Sequence, residues 1–242
     1  MYSLNDIENL LDKDFPDLNY GRYLLLKNFY LSIKELQLPK DLKIAVVGGD
    51  NDQIEILILN KMEYSTDVTT FGIENQDEFF DLNIINNIKN DNFFDLIICT
   101  QVIEHIWNQG SFFENIRSIS KPNTIIYIDC PKSNKVHMSP VYYSSGFTAS
   151  YLVNNLKRMN FKILKSGEFG GEVLYKTIHL TQSWYNKKDI LRRYRFNKRN
   201  LFHKIKHLSR LSNLGQYLVL KRNNNRNTEE YMTESFVFAK KV

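Results

Sequence analysis

The chain has 242 residues, of which 43% are hydrophobic and 24% charged, and a formal net charge of +5. That composition is ordinary for a soluble globular protein, with length for one large domain or a domain plus an appendage. No apolar stretch approaches a membrane span, and the polar, acidic start from Met1 to Asp6 shows no signal peptide. A cytoplasmic protein is therefore expected, with its two cysteines, Cys99 and Cys130, as reduced and buried thiols near strand ends.

The charge is uneven. Ten Lys or Arg residues lie between Lys187 and Arg210 against a single acid, Asp189. The rest of the chain is slightly acidic, so the basic signal is local, not a field over the whole surface.

Apolar spacing predicts a short helix through Leu4, Ile7, Leu10 and Leu11, ended before Pro16. A second helix is predicted from Tyr20 to Leu38, stopped by Pro39. Lys43–Gly49 reads as the first core strand running into a glycine turn, with Asp50, Asn51 and Asp52 as helix-start chemistry for a helix over Gln53–Met62. Val68–Ile73 is the second strand, with Glu74 at its end. Glu78–Asp81 is a short third strand, and Ile84–Lys89 a brief helical connection.

The fourth strand is the most informative stretch. Phe93-Phe94-Asp95 leads into the continuous apolar run Leu96-Ile97-Ile98-Cys99, which then breaks at Thr100-Gln101. Such a run suits a strand buried on both faces of a parallel sheet. Ligands of open α/β sheets sit at the carboxyl ends of the strands, which is where Gln101, Glu104 and His105 emerge. A helix over Ser111–Ser120, a fifth strand over Thr124–Asp129 and a long polar loop from Pro131 to Phe147 follow. Loops of that length are usually lids or binding loops. Thr148 caps a helix to Met159, Phe161–Glu168 is a sixth strand, Leu180–Leu220 is basic and mostly helical, and Glu234–Lys240 closes the chain as a strand. The alternation from Lys43 onward indicates a doubly wound α/β sheet.

The segment Phe94-Asp95-Leu96-Ile97-Ile98-Cys99, followed by Gln101-Val102-Ile103-Glu104-His105-Ile106, resembles the fourth-strand motif of class I S-adenosylmethionine-dependent methyltransferases. The resemblance spans roughly Lys43 to Gly171 plus the last strand. It implies a mostly parallel, seven-stranded Rossmann-like sheet at 41–178 and 229–242, an N-terminal helical cap at 1–40, and a basic helical insertion at 179–228. It also implies S-adenosylmethionine as cofactor, held by Gly48, Gly49 and Asp50 at the turn. Glu74 would take the ribose hydroxyls. Asp81, Leu82 and Asn83 would flank the adenine, with Thr100 and Gln101 alongside.

The glycine turn departs from the family pattern. Asp50 and Asp52 replace its later glycines, and Val46 replaces its usual acid. Asp and Asn tolerate αL geometry, so the turn remains feasible. The acids also oppose a pyrophosphate cofactor and suit the cationic ends of S-adenosylmethionine.

For the chemistry, His105 reads either as a base for a hydroxyl acceptor or as a structural partner of Glu104 at the start of the next helix. The loop from His137 to Thr148 resembles one in methyltransferases of bacterial surface-polysaccharide (capsule and lipopolysaccharide) biosynthesis. That implies a carbohydrate acceptor, with His137 as a second base candidate and Tyr142 and Tyr143 either stacking on a sugar or packing the loop. An alternative is Mg²⁺ at Glu104 and His105, with His137 or His179 adding a ligand, although Gln101 stands where a carboxylate is expected and imidazole suits softer metals. Arg22 reads as a solvated helix residue or as a partner for an acidic substrate group. The basic helices could bind an anionic substrate or membrane surface; nothing resembles a nucleic-acid module. The expected activity is O-methylation of a small or sugar-derived acceptor. Alternatives are methylation of another metabolite, lipid precursor or RNA, or a non-catalytic Rossmann-like module.

Overall fold

Alternation of side chains along each strand divides the core into two layers. In β1 (Asp41–Val47), Ala45 and Val47 face one way and Ile44 and Val46 the other; in β4 (Leu96–Thr100), Ile97 and Cys99 oppose Leu96 and Ile98. All of these are at most 1% exposed, as a sheet covered on both faces requires. The computed structural model describes residues 3–15, 18, 20–36, 38–86, 94–135, 137–171, 174–175 and 231–242. The basic segment 187–210, the rest of the insertion expected at 179–228, and His179 lie outside these residues.

The remaining strands are β2 (Ser65–Gly72), β3 (Glu78–Phe79), β5 (Ile125–Pro131), β6 (Phe161–Gly170) and β7 (Met232–Lys241). They form one seven-stranded sheet in the order β3-β2-β1-β4-β5-β7-β6. All neighbours are parallel except β7, which runs antiparallel to both β5 and β6. The mostly parallel α/β sheet expected from the alternation is therefore present.

One face is covered by α4 (Gln109–Ser118) and α5 (Ala149–Arg158) through Phe112, Phe113, Ile116, Leu152 and Leu156. The other is covered by α1 (Leu4–Asp14), α2 (Tyr20–Leu36) and α3 (Ile54–Lys61). The N-terminal helices are thus an integral layer of the core: Phe29 of α2 lies 4.9 Å from Tyr127 and 6.0 Å from Phe238, ring centre to ring centre. Ser3 and Asp6 form a capping box at α1, and Thr148 caps α5 as expected.

Two local expectations fail. The start of α3 is not capped by Asp50, Asn51 or Asp52: Gln53 holds the cap position without a side-chain hydrogen bond, and its N–H donates to the Asp50 carbonyl at 3.3 Å. The turn needs those three residues before the helix begins, so their side chains fall short of its first N–H groups. The helical connection expected at Ile84–Lys89 is not formed over 84–86, the part within the described residues. There the Asn86 N–H donates to the Asn115 side-chain oxygen at 2.9 Å and Asn115 donates to the Ile84 carbonyl at 2.7 Å, so α4 takes up polar groups that a helix would satisfy internally.

Candidate active site

The parallel strands β1, β2, β4 and β5 all end at one edge of the sheet, and most of the expected site residues collect there. Gly48 follows β1 with φ of +75°, and a Cβ at this position would lie 2.7 Å from Val102. Glycine is therefore required on both conformational and steric grounds. Asp50, Asn51 and Asp52 do not have positive φ. The glycines they replace are thus not needed for backbone geometry, and no αL tolerance is called upon. Asp50 accepts from the Gln76 amide at 3.1 Å, linking the turn after β1 to the turn after β2. Glu74 stands exposed just beyond β2, and only bends separate β2 from β3, as the short interval between them implied.

The adenine candidates divide. Asp81 accepts from the Asn83 backbone N–H at 2.9 Å in a local turn. Leu82 is 4% exposed and packs into the core beneath that turn. The Asn83 side-chain oxygen accepts from the backbone N–H of Trp107 at 2.9 Å, which makes it a brace for the segment after β4.

Beyond β4, Gln101 takes φ of +56°. Its backbone N–H donates to the Asp129 carbonyl and its side-chain amide to Asp129 Oδ1, both at 2.9 Å. Residues Ile103–His105 form one 3-10 turn. Glu104 does not cap the next helix; Asn108 does, accepting from the Ser111 N–H at 3.3 Å. The Glu104 side chain is fully buried, and neither of its oxygens has a hydrogen-bond partner among the described residues. Burial pushes its carboxyl up to about 8, with the Asp129 charge adding to the effect.

The loop after β5 folds back onto this turn. Backbone N–H groups of Tyr143 and Ser144 donate to the Glu104 carbonyl at 3.0 and 3.2 Å. The rings of His105, His137 and Tyr142 then gather: His105–His137 centres are 4.9 Å apart and His137–Tyr142 centres 4.7 Å. His105 Nδ1 lies 2.6 Å from the Val141 carbonyl, and His137 Nδ1 lies 3.0 Å from the Lys135 carbonyl. Each Nδ1 therefore donates to its carbonyl. Burial holds His105 below its ordinary value, so its ring is neutral at pH 7. Burial, with the Glu104 charge, pushes the Tyr142 phenol up to about 12.

Sequence reasoning missed the ionic group on the other side of this edge. Arg22 is neither solvated nor directed at an outside acid. Its guanidinium bonds Asp129 Oδ2 at 2.7 Å and also Glu55 on α3, and it lies 3.4 Å from the Thr100 hydroxyl. Both carboxylates are fully buried and Arg22 is 14% exposed. Burial disfavours the Arg22 charge, but Asp129 and Glu55 more than offset that and keep it charged. Glu234 of β7 is 4% exposed and adjoins this group where α2 passes closest: a Cβ at Gly21 would lie 2.9 Å from Glu234 Cγ. The signal in the sequence was alternation in β5, which puts Asp129 on the same face as Tyr127 and therefore toward α2.

A seven-stranded, mostly parallel sheet with its polar residues gathered at the strands' carboxyl ends defines a Rossmann-like ligand-binding class. Residues 36–166, more than half of the chain, match the family model described as a methyltransferase domain. The chain belongs to that family, the class of S-adenosylmethionine-dependent methyltransferases that the fourth-strand motif resembles. No curated protein sequence matches it significantly. Among solved structures, a protein assigned as a sarcosine dimethylglycine methyltransferase from Galdieria sulphuraria aligns over 91% of this chain and 86% of its own, at 11% identity and a TM-score of 0.54. The cyclase SpnF aligns over 89% of this chain and 80% of its own, at 11% identity and a TM-score of 0.50. At these identities the likeness speaks for the fold alone, and a cyclase among the neighbours illustrates that the fold does not by itself fix a reaction. No helix of the described residues is long and apolar enough to cross a membrane.

Proposed function

We propose that this methyltransferase methylates an oxygen of a small acceptor, and that the acceptor is a sugar or sugar derivative used in bacterial capsule or lipopolysaccharide assembly. The observation that carries the reading is the convergence of Glu104, His105, His137 and Tyr142 beside the carboxyl end of β4. The carbohydrate part is supported by the resemblance of the His137–Thr148 loop.

The residues present fit S-adenosylmethionine. Gly48 turns the chain at the end of β1 with positive φ, Glu74 offers an exposed carboxylate for the ribose hydroxyls, and Asp50 adds negative charge near a cationic ligand. Gly49, Asp81, Thr100 and Gln101 belong to the same edge. When bound, the cofactor supplies a methyl carbon whose bond to sulfur breaks, the electron pair staying on sulfur, as the acceptor oxygen bonds to that carbon. The chain's own task is to align the acceptor and remove its proton. His105 or His137 is the candidate to take that proton. The exposed Tyr143 offers its ring face and hydroxyl to a polar acceptor, while the Tyr142 hydroxyl donates to the Asn134 carbonyl at 3.3 Å and packs the loop. The division into a helical cap at 1–40, a core at 41–178 with 229–242, and a basic insertion at 179–228 that contacts an anionic acceptor or surface belongs to this reading. So does a cytoplasmic setting, supported by two free, buried cysteines.

Calorimetry with S-adenosylmethionine, paired with transfer of labelled methyl to nucleotide-linked sugars, tests the proposal. Binding is expected to weaken in Glu74→Ala. The His137→Ala protein is expected to lose at least about tenfold in kcat with cofactor affinity unchanged. Absence of cofactor binding at millimolar concentration overturns the reading.

A further inference from the structure

We propose that Asp129 is a positioning residue for methyl transfer: it holds Gln101 in a left-handed conformation, and through that residue it sets the turn after β4 against the glycine turn after β1. Thr100, the last residue of β4, pairs with Asp129 of β5 in parallel register. The Gln101 N–H extends this ladder by one bond, to the Asp129 carbonyl at 2.9 Å. There the chain leaves the sheet, and it does so at φ of +56°.

That conformation is unfavourable for glutamine. A Cβ crowds the following carbonyl oxygen, and glycine, with Asn and Asp to a lesser degree, is the residue that adopts it routinely. Among the other left-handed residues are Asn75, Asn123 and Asn160, which fit that rule. Gln101 is held instead from outside: its amide donates to Asp129 Oδ1 at 2.9 Å. The second carboxylate oxygen of Asp129 accepts from Arg22 at 2.7 Å. Asp129 is fully buried, so water does not compete for either bond. Strained residues persist where their surroundings over-determine them in this way.

The hold on Gln101 reaches both sides of the site. Val102 follows directly and packs so closely on Gly48 that a Cβ there would lie 2.7 Å from its side chain. The Gly48 N–H in turn donates to the Phe71 carbonyl of β2 at 2.7 Å. In the other direction, the His105 N–H donates to the Val102 carbonyl at 2.9 Å within the 3-10 turn. Arg22, Asp129, Gln101, Val102 and Gly48 therefore form one continuous path from α2 to the glycine turn. A change of φ at Gln101 swings Val102 off Gly48 and re-aims His105. The acid is needed for this: an Asn at 129 offers one acceptor oxygen to two donors, Gln101 and Arg22, and must release one of them. The role in methyl transfer rests on the reading given above, in which the cofactor binds at this edge; the hold on Gln101 does not.

The test compares Asp129→Asn in two backgrounds, wild type and Gln101→Gly, because glycine takes the left-handed conformation without a tether. Two quantities are read: S-adenosylmethionine affinity by calorimetry, and hydrogen exchange of the 101–106 amides in the ligand-free protein. In the wild-type background Asp129→Asn is expected to lower cofactor affinity at least ~10-fold and to quicken exchange over 101–106. In the Gln101→Gly background the same substitution is expected to lower affinity less than ~3-fold, with little change in exchange. Losses of equal size in both backgrounds would make Asp129 a structural partner of Arg22 alone and overturn the proposal, as would quickened exchange with affinity unchanged. If circular dichroism shows Asp129→Asn unfolded, Gln101→Leu replaces it, since leucine keeps the Cβ strain but lacks the donor and leaves the Arg22–Asp129 pair intact. Gln101→Leu is then expected to bind the cofactor at least ~10-fold more weakly than Gln101→Gly, and equal binding by the two overturns the proposal. Wild-type protein that binds no cofactor at millimolar concentration overturns the methyl-transfer reading. The exchange comparison then decides alone: quickening in the wild-type background and not in Gln101→Gly upholds the hold on Gln101, and any other result overturns it.

Discussion

Glu234 sits fully enclosed in a neighbourhood that already contains Asp129 and Glu104, and one of its oxygens has no hydrogen-bond partner among the described residues. Burial raises its carboxyl well above the usual range, and Asp129 adds to this against the opposing pull of Arg22. A raised folded value means that the protonated form is the one the fold prefers. Its stabilising contribution is therefore complete below the unfolded value of about 4.3 and is lost as pH rises toward the folded one. Glu234→Gln imitates the protonated form at every pH. Its melting temperature is expected to exceed that of the wild type near pH 8, with the gain fading toward pH 4; about 1 kcal/mol corresponds to ~2–4 °C for a chain of this size. An equal shift at both pH values would contradict the assignment.

At the level of elements, Arg22 fastens α2 to α3 and to the end of β5 through Glu55 and Asp129. Removing one member of a buried ion group leaves the others charged and uncompensated, at a cost of about 3–5 kcal/mol. Arg22→Met is expected to show a loss of that order in urea denaturation, part of which Glu55→Gln in the same chain restores. A loss below ~1 kcal/mol would mean that the group is solvated in practice. This tie also marks where sequence reading stops. The helices and strands were legible because apolar runs and alternation are local properties, as Leu96–Cys99 and the stripe of α2 show. The Glu104–His105 turn was legible because it follows directly from a recognisable strand. Arg22, Glu55 and Asp129 are far apart in the chain, and only packing brings them together. The helix expected at Ile84–Lys89 failed for a related reason: Asn115, on α4, competes for the same polar groups. Asn83 likewise belongs to the 107–108 backbone, which no local pattern announces.

Across the whole molecule, the two cysteines report on the core. Cys99 and Cys130 are free, at most 1% exposed, and burial drives both thiols well above their ordinary range. The thiolate is the reactive form, so both are expected to resist a thiol-reactive dye in the native protein and to react when the sheet opens. Labelling of the untreated protein at the rate of free thiol would show that the two layers part without global unfolding.

The placement of β7 between β5 and β6 bears on how the protein is made. A ribosome releases the chain from its amino end, and β6 at Phe161–Gly170 emerges long before its neighbour at Met232–Lys241. Because, among the described residues, β6 pairs only with β7, the nascent sheet keeps an open edge along β5 until β7 arrives. Glu234 arrives with that strand, so the polar edge around Arg22 and Asp129 is completed only once β7 has emerged. The partly made protein is thereby exposed to edge pairing with other chains during that interval, and a holdase bound to β5 would protect it there.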